Sequence, residues 1–241
     1  MDSLASPVRR CIEDYDMIQS GDRVAVGLSG GKDSLALLLT LLELSAYYPK
    51  RFQVEAVTID LGFEDMDFSP IDELCRVLGI PYTIVKTDIR EIVFDLRNES
   101  NPCSLCAKMR RGALNEAIVA LGINKLALAH HYDDAVETFF LSLLYEGRIS
   151  CFKPMTWMSR SGVWQIRPLL YTSEAEIRGF VSRHGLPVVE NSCPQDSGSK
   201  RHEIKDLIKK LKAEYPDLKS KVFGAMKRLP LDGWGSRTDD C

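Results

Sequence analysis

The chain has 241 residues, 45% of them hydrophobic, with a formal net charge of -3 at pH 7. That length and apolar content suit one α/β domain with a modest appendage. The charge excludes a polycation, so any nucleic-acid partner needs a local basic face.

Met1 to Arg10 contains no apolar core of a secretory signal. Leu35 to Tyr47 is too short to span a bilayer and includes Glu43. Seven cysteines without such a signal point to free thiols or metal ligands rather than a disulfide framework. The expectation is a soluble, cytoplasmic chain with no membrane partner.

In chain order, a short helix over Val8–Ile18 leads into the turn Ser20-Gly21-Asp22. Val24 to Leu28 reads as a buried strand and Leu35 to Tyr47 as a buried helix. Ser29 to Ser34 therefore forms a glycine-rich turn onto a helix N-terminus, where unpaired N–H groups and the helix dipole suit a phosphate. Lys32 adds positive charge, and Ser29 and Ser34 add hydroxyls. Asp33 follows Gly31-Lys32 where a Walker A loop requires Ser or Thr. SGGKDS at such a turn instead resembles the PP-loop of the ATP-pyrophosphatase superfamily, whose members split ATP between the α and β phosphates.

Phe52 to Asp60 is a second strand, Pro70 to Leu78 a helix closed by Gly79, and Tyr82 to Val85 a third strand. Cys103-Ser104-Leu105-Cys106 is placed on a turn after Asn101-Pro102, before a helix over Met109–Leu121. Lys125 to Ala129 forms a fourth strand and Asp133 to Tyr145 another helix. A loop with Trp157 and Trp164 precedes a strand at Gln165–Leu169. Ser173 opens a capped helix reaching His184. Pro187 to Glu190 is a short extended piece. The segments 201–213 and 217–229 read as two helices split by Tyr215-Pro216. Such alternation implies a parallel sheet covered on both faces, with ligands beyond the carboxyl ends of its strands. There the Ser29 loop, Asp60 and His130-His131 could share one crevice.

The Cys103/Cys106 pair can reach one metal, and zinc, iron–sulfur and redox chemistry all stay open for it. Cys193, on a polar loop, is the third candidate. Cys11, Cys75 and Cys151 sit among apolar neighbours and read as packing residues. Three thiolates suit a four-iron cluster with one iron free of protein ligands.

His130-His131-Tyr132-Asp133-Asp134 opens a helix, with Asp133 and Glu137 on one face. These carboxylates suit Mg²⁺, although the helix dipole alone also favours acids there. His131 reads equally well as a surface residue. The ten basic residues between Lys200 and Arg228 suit an RNA backbone or a solvated helix face.

SGGKDS, NPCSLCAKMRRG, LALAHHYDDAVET, QIRPLLY and Cys193 together resemble the tRNA 2-thiocytidine synthetase family over residues 8–229. The resemblance implies an α/β parallel-sheet PP-loop (adenine nucleotide alpha hydrolase-like) domain over 1–198 with helices on both faces, and a small basic helical segment over 199–241 packed on or extending the same domain. It also implies ATP, Mg²⁺, a 4Fe-4S cluster and thiolation of a tRNA cytidine. Leu28, Ser29, Gly30, Gly31, Lys32, Asp33, Ser34, Ile59, Asp60, His130 and Asp134 would bind the nucleotide. Cys103, Cys106 and Cys193 would ligate the cluster, and Asp133, Arg110 and Lys32 would serve catalysis. Implied partners are tRNA and a sulfur donor, either a cysteine desulfurase or free sulfide; a homodimer stays open. Two rivals remain: a PP-loop amine ligase such as a lysidine synthetase, and a zinc- or redox-thiol RNA-binding protein.

Overall fold

The computed structural model describes residues 3–63, 66–97, 102–189 and 200–228. After helix α1 (Ala5–Asp14), strand β1 (Arg23–Gly27) runs into α2 (Lys32–Tyr47). β2 (Gln53–Asp60), α3 (Ser69–Leu78) and β3 (Tyr82–Lys86) follow, then a π-helical turn at Glu91–Leu96 and the long α4 (Pro102–Ala120). β4 (Lys125–Ala127) leads to α5 (Tyr132–Tyr145) and the hairpin β5 (Met155–Met158) and β6 (Val163–Ile166). α6 (Glu174–His184), α7 (Lys200–Glu214) and α8 (Leu218–Arg228) complete the described chain.

One six-stranded sheet has the order β3-β2-β1-β4-β6-β5. β1 pairs in parallel with β2 and β4, and β3 and β6 extend the sheet in parallel on either side. The two-residue side-chain period splits the core. Val24, Val26, Val54 and Ala56 join the apolar residues of α1, α2 and α6 on one face, whereas Ala25, Val57 and Ile59 meet Leu114 and Ile118 of α4 on the other. Gly79 and Gly185 end α3 and α6 at φ 66° and 56°, the left-handed cap that glycine takes without a Cβ penalty.

Two expectations change. The sheet is not wholly parallel, because β5 pairs antiparallel with β6 at one edge. Trp157 and Trp164 lie in this hairpin rather than in a loop; their rings cover each other across the strands at 5.2 Å. The basic helices pack on the main core: Ile204 and Ile208 of α7 and Phe223 and Met226 of α8 are buried in the same cluster as the α2 leucines. Among the described residues, no helix is long and apolar enough to cross a membrane.

Candidate active site

The loop between β1 and α2 stabilises itself through its own hydroxyls. Ser34 Oγ donates to the Gly31 carbonyl at 2.9 Å and accepts from the Ser29 N–H at 3.2 Å. Ser34 is thereby a buried staple of the turn, while the exposed Ser29 accepts the Gly31 N–H at 3.3 Å and lies 3.3 Å from Ser34 Oγ. No side chain caps the N-terminus of α2, so its amide donors face the loop's concave side. Gly30 stands at φ +84°, and a Cβ there would lie 3.0 Å from Val189 Cβ. The Val189 N–H also donates to the Gly30 carbonyl at 3.0 Å. The strip after α6 is therefore stitched to the back of the loop.

Lys32 Nζ rests between Asp33 at 3.0 Å and Glu174, at the start of α6, at 3.2 Å. Burial opposes its charge, but these two carboxylates outweigh it and hold the ammonium above its usual value.

Beside the loop lies a cavity of about 240 Å³, lined by Leu28, Ser29, Gly31, Ile59, Arg110 and Val189, among others. Five residues expected from the sequence thus share one wall system. Leu61, Phe68 and Leu114 also line it and were not anticipated. Leu114 was legible in principle, because Cys106, Arg110 and Leu114 recur every four residues along one face of α4. Arg110 makes no ion pair or hydrogen bond with any described residue, so its charge stays available to a ligand. Asp60 turns away: its Oδ1 accepts from the Gly62 N–H at 3.0 Å and shapes the turn after β2.

At the start of α5 the expectation of a surface His131 fails, because the residue is only 4% exposed. Its Nδ1 accepts the Asp134 N–H, and the Asp134 carboxylate accepts the His131 N–H, a reciprocal cap. The other ring nitrogen, Nε2, lies 3.9 Å from Asp33 Oδ1. That oxygen is buried and has no hydrogen-bond partner among the described residues. His130 packs against the Phe152 ring, and burial, followed by the charge of Arg167, pushes its imidazole down to about 4. It is neutral at pH 7.

Asp133 does not face the loop cavity. Its carboxylate accepts the Glu174 N–H at 2.7 Å and pairs with Lys219 of α8. Burial opposes that charge, yet the Glu174 amide and Lys219 prevail and hold the acid below its usual range. Asp133 therefore clasps α6 and α8 to α5.

Glu137, one turn on, is 4% exposed and lies 3.8 Å from both Arg201 and Lys205. Burial pushes its carboxyl up to about 7, despite Lys205 and Arg201. An acid raised in the fold binds more protons folded than unfolded between about pH 4.5 and 7, so it removes stability as pH rises through that window. Glu137→Gln should therefore flatten the decline in melting temperature between pH 5 and 8, a change of roughly 1–3 kcal/mol. An unaltered pH profile in thermal melts would refute this.

Cys103 and Cys106 lie in the first two turns of α4, not on a turn before it. Pro102 occupies the first helical position, where its missing N–H costs nothing. Their i, i+3 spacing puts both thiols on one face; neither forms a disulfide, and Cys103 is exposed and Cys106 half-buried. Cys106 lies one helical turn before Arg110, which lines the loop cavity, although neither cysteine is itself part of that lining. Cys193 lies outside the described residues. No described cluster of three His, Cys, Asp or Glu could hold a metal. Cys11 and Cys75 are buried packing residues; Cys151 is half-buried and its thiol contacts the Ala135 carbonyl at 3.4 Å.

The chain matches the PP-loop domain family over residues 3–211. It is 39% identical over 229 residues to a tRNA-cytidine(32) 2-sulfurtransferase of Pelobacter propionicus, covering 94% of this chain and 85% of that one. A relative of the same name from Syntrophotalea carbinolica is 36% identical over 220 residues, covering 90% and 85%. This chain belongs to the PP-loop tRNA-cytidine(32) 2-sulfurtransferase family. In three dimensions it is also similar to the U34-tRNA thiolase NcsA from Methanococcus maripaludis, a structure solved with its 4Fe-4S cluster. The TM-score is 0.75 at 27% identity, over 92% of this chain and 77% of that one.

In this member of the 2-sulfurtransferase family, four of the ten C-terminal basic residues face carboxylates of the main domain. Arg201 lies 3.9 Å from Asp134, Lys205 faces Glu137, Lys219 holds Asp133, and Lys227 lies 3.5 Å from Asp14. These cations bind α7 and α8 to the acidic start of α5 and to α1.

Proposed function

We propose that this chain is an ATP-dependent tRNA sulfurtransferase that exchanges the C2 oxygen of a cytidine for sulfur. The observation that carries the reading is the single face of α4 on which Cys106, Arg110 and Leu114 stand, because it sets Cys106 one helical turn from the lining of the loop cavity.

ATP would lie with its phosphates on the Ser29–Gly31 turn and α2 N-terminus and its nucleoside against Leu28, Ile59 and Leu114. Gly30 fits this role because it lets the backbone approach where any Cβ would collide with Val189. Mg²⁺ would be held by Asp33, whose buried Oδ1 lacks a partner, with Asp134 nearby through His131. The C2 carbonyl oxygen attacks the α phosphorus, its bond to pyrophosphate breaks, and an O-adenylyl base results. Lys32, released from Glu174, and Arg110 offset the charge that grows on the phosphates. Sulfur then adds at C2 and the C–O bond to AMP breaks.

The donor set fits a cluster: two undisulfided thiols one turn apart, with Val189, four residues before Cys193, anchored on the loop. When bound through Cys103, Cys106 and Cys193, a 4Fe-4S cluster supplies an iron position open to sulfide. A cysteine desulfurase or free sulfide would be the source, and the cytoplasm the expected site of action. Asp133 serves as a positioning residue rather than a proton acceptor.

The direct test incubates cluster-loaded protein with ATP, sulfide and a tRNA transcript carrying cytidine at position 32. Nucleoside mass spectrometry should find 2-thiocytidine, with one pyrophosphate released per sulfur incorporated. Protein that carries no iron or acid-labile sulfide after anaerobic purification, yet still releases pyrophosphate with ATP and tRNA, would favour the amine-ligase rival. Lys32→Ala should lower the single-turnover adenylation rate by about 10²–10³-fold, and an unchanged rate would remove Lys32 from the mechanism.

A further inference from the structure

The described cations differ in how far they are paired, and Lys209, Lys210 and Lys212 on the outer side of α7 are exposed without an ion pair to a described residue. Those of α7 and α8 that reach α5 are already paired with carboxylates. Lys108 and Arg111 of α4, and Arg160 of the β5–β6 turn, are exposed and make no hydrogen bond or ion pair with a described residue. All three line one groove of about 860 Å³ between α4 and that turn. Its walls include the exposed Val119, together with Met158 and Asn115. Asn115 Oδ1 is buried without a hydrogen-bond partner among the described residues.

We infer that this groove, where unpaired cations, apolar contacts and an unpartnered amide oxygen lie together, is the main surface on which the tRNA backbone docks. The inference rests on the sulfurtransferase reading above. Affinity for RNA comes from cations that displace counterions from phosphates, and a cation already neutralised by a buried carboxylate has little left to give. Lys108, Arg111 and Arg160 retain their full charge toward a ligand. Val119 and Met158 offer apolar contact for ribose and base faces. The Asn115 oxygen is an acceptor for a ribose 2′-hydroxyl, the group that marks RNA.

Position agrees with this. Arg111 follows Arg110, which lines the loop cavity, and at 1.5 Å per residue it lies about 8 Å along the helix from Cys106. RNA held in the groove therefore enters the active site at the end where the cysteines stand.

The test uses the full-length, cluster-loaded protein and the same tRNA transcript, with affinity measured from 50 to 200 mM salt. The combined variant Lys108→Ala, Arg111→Ala, Arg160→Ala should bind tRNA about 10- to 100-fold more weakly. Its slope of log affinity against log salt should be shallower by about 2–3. ATP affinity should match the parent, which also certifies the fold. A second variant, Lys209→Ala, Lys210→Ala, Lys212→Ala, removes three exposed cations outside the groove and should lose less tRNA affinity than the first. Should the first variant fold poorly, Arg160→Glu alone, on an exposed turn, should still weaken binding, and Arg160→Lys should restore it. Unchanged tRNA affinity in the groove variants, or an equal or greater loss in the C-terminal variant, overturns the inference. Parent protein that binds tRNA through the groove but never forms 2-thiocytidine would instead overturn the sulfurtransferase reading and leave the docking surface standing.

Discussion

Cys193→Ala reduces 2-thiocytidine formation to background and leaves ATP affinity within about twofold of the parent. Cys103→Ala and Cys106→Ala behave alike. All three lower bound iron and acid-labile sulfide after anaerobic reconstitution, because three thiolates are the fewest that hold four irons with one left open. The separation from ATP binding follows from the geometry of α4. Its cysteines stand at the helix start, whereas the cavity itself is lined by Arg110 and Leu114 further along and by the β1–α2 loop. Thiolation that persists in any of the three variants would remove that residue from the cluster. ATP affinity that falls in parallel would mean that the cysteines act through the fold.

Gly30→Ala is the other large effect. At φ +84° an alanine pays about 1–3 kcal/mol for its backbone alone, and its Cβ also meets Val189 Cβ at 3.0 Å. Val189 cannot retreat freely, since its N–H is bonded to the Gly30 carbonyl. ATP affinity should fall about 5- to 150-fold, following the tenfold change per 1.4 kcal/mol. Gly31→Ala is the control: Gly31 has an ordinary φ of -74°, and an added Cβ there meets only Ser29 Oγ, at 3.5 Å. Isothermal titration with a non-hydrolysable ATP analogue separates the two. Equal losses would show that the loop tolerates no side chain at either position and that the left-handed backbone is not the cause.

The loop and its flanks were legible because their information is local. A continuous apolar strand, two glycines, Lys-Asp-Ser and a continuous apolar helix determine both the turn and its unpaired amides within about twenty residues. The Cys-x-x-Cys pair was legible as chemistry but misplaced as structure. Asn101-Pro102 signals a turn, yet proline at a first helical position starts a helix equally well, and only packing of Cys106 against the buried cluster on this face of the sheet chooses between them. His131 looked like a surface residue because nothing nearby in the sequence shows that Asp33, almost a hundred residues earlier, lies 3.9 Å from its ring.

The acidic and basic stretches mark the same boundary. Asp133 carries the composition of a catalytic carboxylate, and the C-terminal helices carry that of an RNA-binding face. The two stretches meet in the fold, where Lys219, 86 residues away, closes on Asp133. By itself the sequence determined the elements, the nucleotide loop and the identity of the thiols, because each rests on neighbours a few bonds apart. Tertiary structure alone decided which charges were left unspent, because a salt bridge between distant segments is set by where the sheet and helices bring them and leaves no pattern along the chain.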